Sequence, residues 1–305
     1  MTVGTTCPNA RAVPTAAGPV SITVRAALVA ARSRLATAVT TSPDPEAAEL
    51  LATVLGVERS RLGLEQSREL SAKQARKLES MLERRAAGEP LQYITGKAGF
   101  RGLDVEVGAG ALVPRPETEV VAGRAIEFLN RMGRKALAVD IGTGSGCIAL
   151  ALAREVADCE VWATEISVQA CGWAERNLAG QPRVHLAAGD LYEPLPAELR
   201  GAVDVVVANP PYFSADQLAS LPVDVREHEP FVALVSPGGG MALALRVIEG
   251  AAIWLRPGGL LVVEMAEGQG PVLVEALRRN GFAAARTGRD LAGRDRFVEG
   301  VLRRE

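Results

Sequence analysis

The sequence predicts an α/β protein with a mostly parallel, Rossmann-like sheet that ends in an antiparallel hairpin, preceded by a small helical domain. From residue 136 onward, short apolar runs alternate with helix-length segments, a pattern typical of parallel strands covered by helices on both faces. Before that point, residues 21–88 carry apolar side chains at helical spacing. The length of 305 residues allows about two domains. The 48% hydrophobic and 23% charged content is typical of a globular chain.

Composition also excludes several classes of protein. The net charge is -2, so the chain as a whole has no general attraction to nucleic acid. Four cysteines without a C-x-x-C pair, together with two histidines, favour reduced thiols over a zinc site or a disulfide framework. No apolar run reaches the ~18 residues of a membrane span, and residues 1–20 indicate a disordered leader, not a signal peptide. We therefore expect a cytoplasmic protein without a bound metal.

Residues 21–88 predict a helical domain. A break at Ser42-Pro-Asp-Pro45 separates the first two helices, and Ser71 is the predicted N-cap of a third helix that ends near Gly88. The charges of this third helix, which include Arg84 and Arg85, are expected on a solvated face.

Residues 89–116 predict a β-hairpin that links the two domains. Apolar and acidic residues alternate over residues 103–107, glycines flank them, and the run around Tyr93 to Thr95 is taken as part of the same hairpin. The α/β domain is then expected over residues 117–305, starting with a helix over residues 118–130. Its predicted strands cover residues 136–141, 161–164, 184–187, 203–208 and 260–264, and its terminal hairpin covers residues 282–287 and 297–302.

A glycine-rich turn follows the first of these strands. Asp140 precedes a G-x-G-x-G run, whereas nicotinamide dinucleotide binding uses G-x-G-x-x-G, and this difference favours S-adenosylmethionine. Glu165 ends the next strand, where a carboxylate can accept hydrogen bonds from ribose hydroxyls. After the third strand, Asp190 is a candidate acceptor for an adenine amino group, and Leu191 is a candidate cover for the ring.

The motif Asn209-Pro210-Pro211-Tyr212 directly follows an apolar strand. Ligands of open α/β sheets bind beyond the carboxyl ends of strands, where this motif falls. The side-chain oxygen of Asn209 and the carbonyl of Pro210 can together accept both hydrogens of an amino group, and Tyr212 offers a flat face for stacking. The chain therefore resembles the amino-group methyltransferases, and the motif alone leaves glutamine side chains, adenine N6 in DNA and guanine N2 in RNA open as substrates.

Further blocks narrow the resemblance to the PrmC/HemK family over about residues 22–303. These blocks are Glu89-Pro-Leu-Gln-Tyr-Ile-Thr-Gly96, Phe100, Val113-Pro-Arg-Pro-Glu-Thr-Glu119, Glu229-Pro with Ala233-Leu234, and Asp290-Leu-Ala-Gly-Arg-Asp-Arg296. The family methylates the glutamine of the Gly-Gly-Gln motif in class 1 peptide-chain release factors. The resemblance thus implies a class I S-adenosylmethionine-dependent methyltransferase fold, release factors as protein substrates, and no membrane or nucleic-acid partner.

The resemblance also implies roles for individual residues. The cofactor-binding residues would be Gly142, Thr143, Gly144, Ser145, Gly146, Glu165, Asp190, Leu191 and Asn209. Glu165 stands where the family more usually has aspartate, and Leu191 where it often has an aromatic residue. Asn209 to Tyr212 would hold the glutamine amide, with Asn209, Pro210 and Tyr212 as the catalytic residues of a direct, in-line methyl transfer.

The helical domain and the hairpin are expected to contact the protein substrate. Three other functions remain open at this point: a nucleic-acid methyltransferase, a family member that acts on a ribosomal-protein glutamine or a small molecule, and a cofactor-binding module without activity. The absence of a basic excess or an evident target-recognition domain counts against the first. The intact Asn209-Pro210-Pro211-Tyr212 motif counts against the last.

Overall fold

The structure is a computed structural model that describes residues 22–38 and 42–304, so the predicted leader lies outside the described residues. The described residues divide into two compact units, one that ends at Ala87 and one that begins at Gly88. In the described residues no helix is long and apolar enough to cross a membrane.

The first unit is helical. Its elements are α1 (Val24–Leu35), α2 (Pro43–Leu55), a 3₁₀ turn (Arg59–Leu64) and α3 (Ala72–Ala86). Ser71 caps α3 as predicted, and Gln74 completes a capping box by accepting from the Ser71 backbone N–H. The fully buried side chains of Leu35, Leu50 and Leu51 form the centre of the unit.

Arg85 departs from the expected solvated face of α3. It is 3% exposed, and its guanidinium donates two hydrogen bonds to the Glu46 carboxylate, at 2.7 and 3.1 Å. The long Arg side chain lies on the side of α3 that faces α2, where a charge is retained only with a bidentate partner. Arg85 is thus part of the interior, and the prediction for this residue was wrong.

The second unit begins with a short helix and a hairpin. Residues Leu91–Thr95 form α4, and β1 (Lys97–Phe100) pairs in antiparallel fashion with β2 (Leu103–Glu106). The assignment of Tyr93 to Thr95 to the hairpin was therefore wrong. Gly96 follows α4 with a φ of +80°, the left-handed conformation that ends a helix, so the extended chain starts only at Lys97.

The rest of the unit alternates strands and helices around one seven-stranded sheet. Its helices are α5 (Pro116–Asn130), α6 (Cys147–Glu155), α7 (Val168–Leu178), α8 (Val223–His228), α9 (Phe231–Leu234), α10 (Ala242–Trp254) and α11 (Gly270–Arg279). Its strands are β3 (Ala136–Ile141), β4 (Cys159–Glu165), β5 (Val184–Ala188), β6 (Val203–Ala208), β7 (Leu255–Glu264), β8 (Phe282–Arg289) and β9 (Asp295–Leu302).

The strand order is β5-β4-β3-β6-β7-β9-β8. The first five strands are parallel, and β9 is antiparallel to both β7 and β8. This arrangement confirms the predicted class I methyltransferase fold with its terminal antiparallel hairpin. Strand β6 is buried at every position, as expected for a central strand with helices on both faces. The order reverses between β3 and β6, so the loops after these strands diverge and leave a crevice.

Candidate functional site

A cavity lies at this reversal, against the carboxyl ends of four parallel strands. The loops after β3, β4, β5 and β6 all contribute to its wall, as does the segment of residues 110–118 before and at the start of α5. The predicted site residues in this wall are Gly142, Thr143, Gly144, Ser145, Glu165, Asp190, Leu191, Asn209, Pro210 and Pro211. Two of the predicted residues, Gly146 and Tyr212, do not line this cavity.

The glycine-rich turn forms one side of the cavity. Gly142 and Gly144 have φ values of +69° and +59°, and a Cβ on either would meet no atom within 4 Å, so the open space beside them belongs to the cavity. Gly146 has a different role: a Cβ there would approach Leu178 and Ala174 of α7 at 3.2 and 3.3 Å. Gly146 therefore allows α6 and α7 to pack closely.

Asp140 holds the turn from behind. It is fully buried, and its Oδ2 accepts hydrogen bonds from Thr143 Oγ1 at 2.6 Å and from the Ala149 backbone N–H at 3.1 Å. Burial outweighs these bonds and raises the pKa of Asp140 to about 7. Asp140 thus joins the turn to the first turn of α6 and does not line the cavity.

Glu165 is fixed in the cavity wall by two backbone donors. Its Oε2 accepts from the Gly144 N–H and its Oε1 accepts from the Ser167 N–H, both at 2.8 Å. The residue is 8% exposed. A carboxylate has about four lone-pair sites, so two acceptor positions remain for a pair of hydroxyls.

Asp190 and Leu191 occupy the loop after β5. Asp190 Oδ2 pairs with Arg246 Nη2 at 2.8 Å, so an arginine of α10 is a cavity residue that the sequence analysis missed. Leu191 has a φ of +48°, a left-handed conformation that is uncommon for a residue with a side chain. Such backbone strain is often found where a ligand is held.

The hairpin is attached to the glycine-rich turn through Asn177 of α7. Its Nδ2 donates to the backbone oxygens of Glu106 and Ser145, both at 2.8 Å, and its Oδ1 accepts from the Glu106 N–H at 2.7 Å. Close by, Trp173 Nε1 donates to the Ala109 carbonyl, and a Cβ on Gly108 would come within 2.3 Å of the Trp173 ring. The hairpin segment therefore packs directly on α7.

Asn209 lies where the first cavity meets a second one. Its Nδ2 donates to Thr118 Oγ1 at 3.1 Å, whereas its Oδ1 is buried and has no hydrogen-bond partner among the described residues. An unsatisfied buried acceptor costs about 1–3 kcal/mol. The site thus holds an oxygen that a ligand N–H would satisfy. Pro210, the next residue, has a carbonyl that receives no hydrogen bond from the described residues.

Tyr212 belongs to the second cavity, which Arg115, Phe213 and Leu234 also line. Its hydroxyl lies 3.4 Å from Glu264 Oε1, and its backbone oxygen accepts from Gln269 Nε2 at 3.0 Å. The loop that carries Asn209 to Tyr212, called the motif loop below, is also tied to the end of α9, because the N–H of the following residue Phe213 donates to the Leu234 carbonyl. The Tyr212 position is therefore set by its backbone and by its hydroxyl.

Arg115, which lines the second cavity, forms an ion pair with the buried Glu229. Arg115 Nη2 donates to Glu229 Oε1 at 2.6 Å, and the Glu229 side chain is 1% exposed. Burial outweighs Arg115 and raises the pKa of Glu229 to about 7. Arg115 also lines the first cavity, so one guanidinium borders both.

The cavity residues fit S-adenosylmethionine. Open glycines leave room against the turn, the fixed Glu165 carboxylate retains acceptors for a ribose, and Asp190 with Leu191 lies on the loop after β5. Among the described residues no group of His, Cys, Asp and Glu is arranged to hold a metal ion.

Several of these site residues were not predicted from the sequence. Thr118, Glu264 and Gln269 meet the motif loop from distant parts of the chain, and only the fold brings them together. Arg246 and Asn177 are isolated polar residues on helices, and no sequence motif around them indicates a functional role. Thr118 lies within a block quoted for the resemblance, which is the one sequence indication among them.

Two protein families match parts of the chain. Residues 26–96 match the PrmC N-terminal domain, and residues 125–223 match the methyltransferase small domain. A release factor glutamine methyltransferase of Bifidobacterium longum is 40% identical over 288 residues, which cover 89% of this chain and 97% of that protein. One of Streptomyces coelicolor is 42% identical over 270 residues, which cover 88% and 94%.

The fold has counterparts among solved structures. The hMettl16 catalytic domain, in complex with MAT2A 3'UTR hairpin 6, superposes with a TM-score of 0.52 at 16% identity, over 78% of this chain and 84% of that one. That likeness concerns the fold alone. The curated relatives match nearly end to end, and the chain belongs to the release factor glutamine methyltransferase family.

Proposed function

We propose that this protein transfers a methyl group from S-adenosylmethionine to the side-chain amide nitrogen of the glutamine in the Gly-Gly-Gln motif of class 1 peptide-chain release factors. The observation that carries the proposal is the buried, unpartnered Oδ1 of Asn209, at the junction of two cavities. One cavity suits the cofactor, and the other leaves room for the substrate side chain. The names and coverage of the curated relatives support the same substrate.

The residues of the first cavity would hold the methyl donor. The turn from Gly142 to Ser145 would contact its methionine part, Glu165 would accept the ribose hydroxyls, and Asp190 and Leu191 would border the adenine. When bound, S-adenosylmethionine supplies a sulfonium methyl group that is open to nucleophilic attack.

The chain's own contribution is orientation and electrostatics. An amide nitrogen is a poor nucleophile because its lone pair is delocalised into the carbonyl. Asn209 Oδ1 and the Pro210 carbonyl would accept the two amide hydrogens, fix the nitrogen in one orientation and favour the positive charge that develops on it. Tyr212 and Pro211 would confine the amide.

We further propose that the partner is a protein and that the reaction takes place in the cytoplasm. The net charge of -2 gives no general attraction to nucleic acid or to anionic membranes. The helical unit and the hairpin are the surfaces that we assign to the release factor, with residues 21–88 as the recognition domain, residues 89–116 as the linker and residues 117–305 as the methyltransferase domain.

The test is a methylation assay with purified full-length protein, S-adenosylmethionine and an unmodified class 1 release factor. We expect mass spectrometry of the Gly-Gly-Gln peptide to show one added methyl group on the glutamine. The Asn209→Ala variant should bind S-adenosylmethionine within about threefold of the wild-type affinity and give no methyl transfer. Cofactor binding without any methylated glutamine in the wild-type reaction would contradict the proposal, and so would near-normal turnover by Asn209→Ala.

A further inference from the structure

The exposed apolar side chains of the second unit are concentrated at one edge of the seven-stranded sheet. In residues 88–304, seven large apolar side chains are exposed. Six of them lie beyond the carboxyl ends of strands, at the edge that also holds both cavities. The seventh, Ile253, lies near the end of α10 just before β7, at the opposite edge. Single exposed apolar residues are ordinary on a protein surface, whereas their concentration on one face is typical of an interaction surface.

The six residues fall on two sides of this edge. Ile166 and Val168 follow β4, and Ile166 lines the first cavity, where a bound cofactor can cover it. The other four follow β6, β7 and β8, in the half of the sheet that carries the motif loop. We call these four residues the apolar rim: Phe231, Val232, Val272 and Leu291.

The part of the apolar rim on α9 borders both cavities. Val232 lines the first cavity, and Leu234, two residues later, lines the second. Phe231 begins the same short helix, and its side chain is 61% exposed. A polypeptide segment that enters the second cavity therefore comes into contact with α9, next to Phe231.

The loop between β8 and β9 presents Leu291 on a fixed support. Leu291 is 95% exposed, whereas the residue before it, Asp290, is buried. Asp290 Oδ1 accepts hydrogen bonds from the backbone N–H groups of Ala292 and Arg294, both at 2.9 Å. Asp290 Oδ2 accepts from Arg294 Nε at 2.8 Å. Because the loop is already ordered, little conformational entropy is lost when a partner covers Leu291.

The same loop lies close to the cavities. Strands β7 and β8 are both antiparallel to β9, so they run in the same direction and their carboxyl ends share one edge. Arg294 Nη2 donates to Glu117 Oε1 at 2.8 Å. Glu117 is two residues after Arg115, which lines both cavities. Leu291 is three residues before Arg294, a span of at most about 10 Å, so it belongs to the surface around the cavities.

We propose that the apolar rim is a docking surface for the release factor, with Leu291 and Phe231 as its main anchors. A protein whose glutamine enters the second cavity must lay its own surface on the surrounding edge. A specific protein interface buries about 800 Å² on each partner, so it extends well beyond the cavity mouth. The occupant is thus a folded protein with apolar side chains beside its Gly-Gly-Gln segment. This inference rests on the proposed function, and it adds α9 and the terminal hairpin to the surfaces assigned to the release factor.

The experiment measures the Kd of an unmodified release factor by isothermal titration calorimetry, without a methyl donor, so that no turnover takes place. We expect Leu291→Ser and Phe231→Ser each to raise Kd at least about fivefold, as is typical of interface anchors. Ile253→Ser is the matched control, because Ile253 is 59% exposed at the opposite edge, and its Kd should equal that of the wild type.

The catalytic step should not respond to these substitutions. None of the three side chains lines either cavity. We therefore expect kcat at saturating release factor to stay within about twofold of wild type, as for the loss of binding that does not change in the transition state. The Kd for S-adenosylmethionine should be unchanged in all three variants.

A photocrosslink tests the contact directly. Leu291→p-benzoylphenylalanine should crosslink to the release factor under light, and Ile253→p-benzoylphenylalanine should not. Methylation by the wild type with an unchanged Kd in Leu291→Ser and Phe231→Ser would overturn the docking surface and leave the proposed function standing. A crosslink from position 291 only to a second copy of this chain would also overturn it. A wild-type protein that neither binds nor methylates a release factor would overturn both proposals.

Discussion

Gly240 lies directly against the backbone carbonyl of Tyr212, so that a Cβ built on Gly240 would come within 2.1 Å of that oxygen. The glycine has a φ of +85°, and its own N–H donates to the Ser236 carbonyl. The loop before α10 thus fits against the motif loop at a point where no side chain can be accommodated. The position of Tyr212 therefore depends on Gly240, a residue that has no side chain to take part in the reaction.

Replacing Gly240 with alanine should displace the motif loop. We expect Gly240→Ala to reduce kcat by at least tenfold, because the new methyl group and the Tyr212 carbonyl cannot both keep their places and small displacements of positioned groups are costly. The measurement is steady-state methylation of the release factor.

Gly239→Ala is the matched control for this substitution. Gly239 has a similar φ of +68°, but a Cβ there meets only the end of the Met241 side chain at 4.0 Å. Both variants carry the backbone strain of a left-handed alanine, and only Gly240→Ala carries the collision. Equal losses of kcat in the two would show that strain alone matters.

Glu165→Gln should weaken S-adenosylmethionine binding. Both carboxylate oxygens accept backbone N–H bonds, and a glutamine must turn its NH2 toward one of these donors. We expect Kd to rise at least tenfold in isothermal titration calorimetry, because the ribose loses an anionic acceptor as well. Glu175→Gln, on the exposed side of α7, is the control and should leave Kd unchanged. A wild-type Kd in Glu165→Gln would remove Glu165 from the cofactor site.

Asn177→Ala should loosen the hairpin from the glycine-rich turn. The substitution removes three hydrogen bonds to backbone groups of Glu106 and Ser145. At about 0.5–1.5 kcal/mol for each bond, the free energy of unfolding should fall by about 1.5–4.5 kcal/mol, as measured by urea denaturation. Asn130→Ala removes one hydrogen bond, at 3.2 Å to the Glu155 carbonyl, and should cost about 1 kcal/mol or less. Equal effects in the two variants would contradict the bridging role.

Stability should decrease as the pH rises from about 4.5 to about 7. Burial raises the pKa of Glu229 from 4.5 to about 7, so in this interval the folded protein binds a proton that the unfolded chain has released. The group's stabilising effect is complete below pH 4.5 and is lost by about pH 7. At about 1.4 kcal/mol for each pKa unit, the loss is at most about 3.5 kcal/mol.

Glu229→Gln isolates this contribution, because glutamine does not titrate. The difference in the free energy of unfolding between wild type and Glu229→Gln should shift in favour of the variant as the pH rises through the interval. Asp140 and Glu264 have pKa values raised in the same direction and are common to both proteins. The exposed Glu227→Gln is the control. A difference that stays constant from pH 4.5 to 7.5 would rule out the raised pKa of Glu229.

Much of the fold could be predicted because strands and helices carry local periodic signals. Strands β3 and β6 agree with the predicted residue numbers at both ends, and Ser71 is the N-cap of α3. The short α4 was missed because five residues hold little more than one helical turn, too few to show a period of 3.6.

The candidate site was predictable where one short segment carries several functional residues. Asn209 to Tyr212 and the glycine turn are such segments. Other site residues are distant in the sequence from the residues they contact, so that only the folded structure identifies them. These are Thr118, Gln269 and Arg246. The burial of Arg85 shows the same limit, since its partner Glu46 is 39 positions away and a helix sequence alone does not state which of its charges faces a neighbour.

The position of β9 has a consequence for how the sheet is assembled. Although it follows β8 in the sequence, β9 lies between β7 and β8. Until residues 295–302 have been synthesised, β7 is an unpaired edge strand. Its leucines and valines, which are buried in the folded protein, are not yet covered by β9. The same late strand places Arg296 near Glu264. Ribosome-bound chains that end before this strand should therefore be aggregation-prone and sensitive to protease, and the change to a protected state should be abrupt.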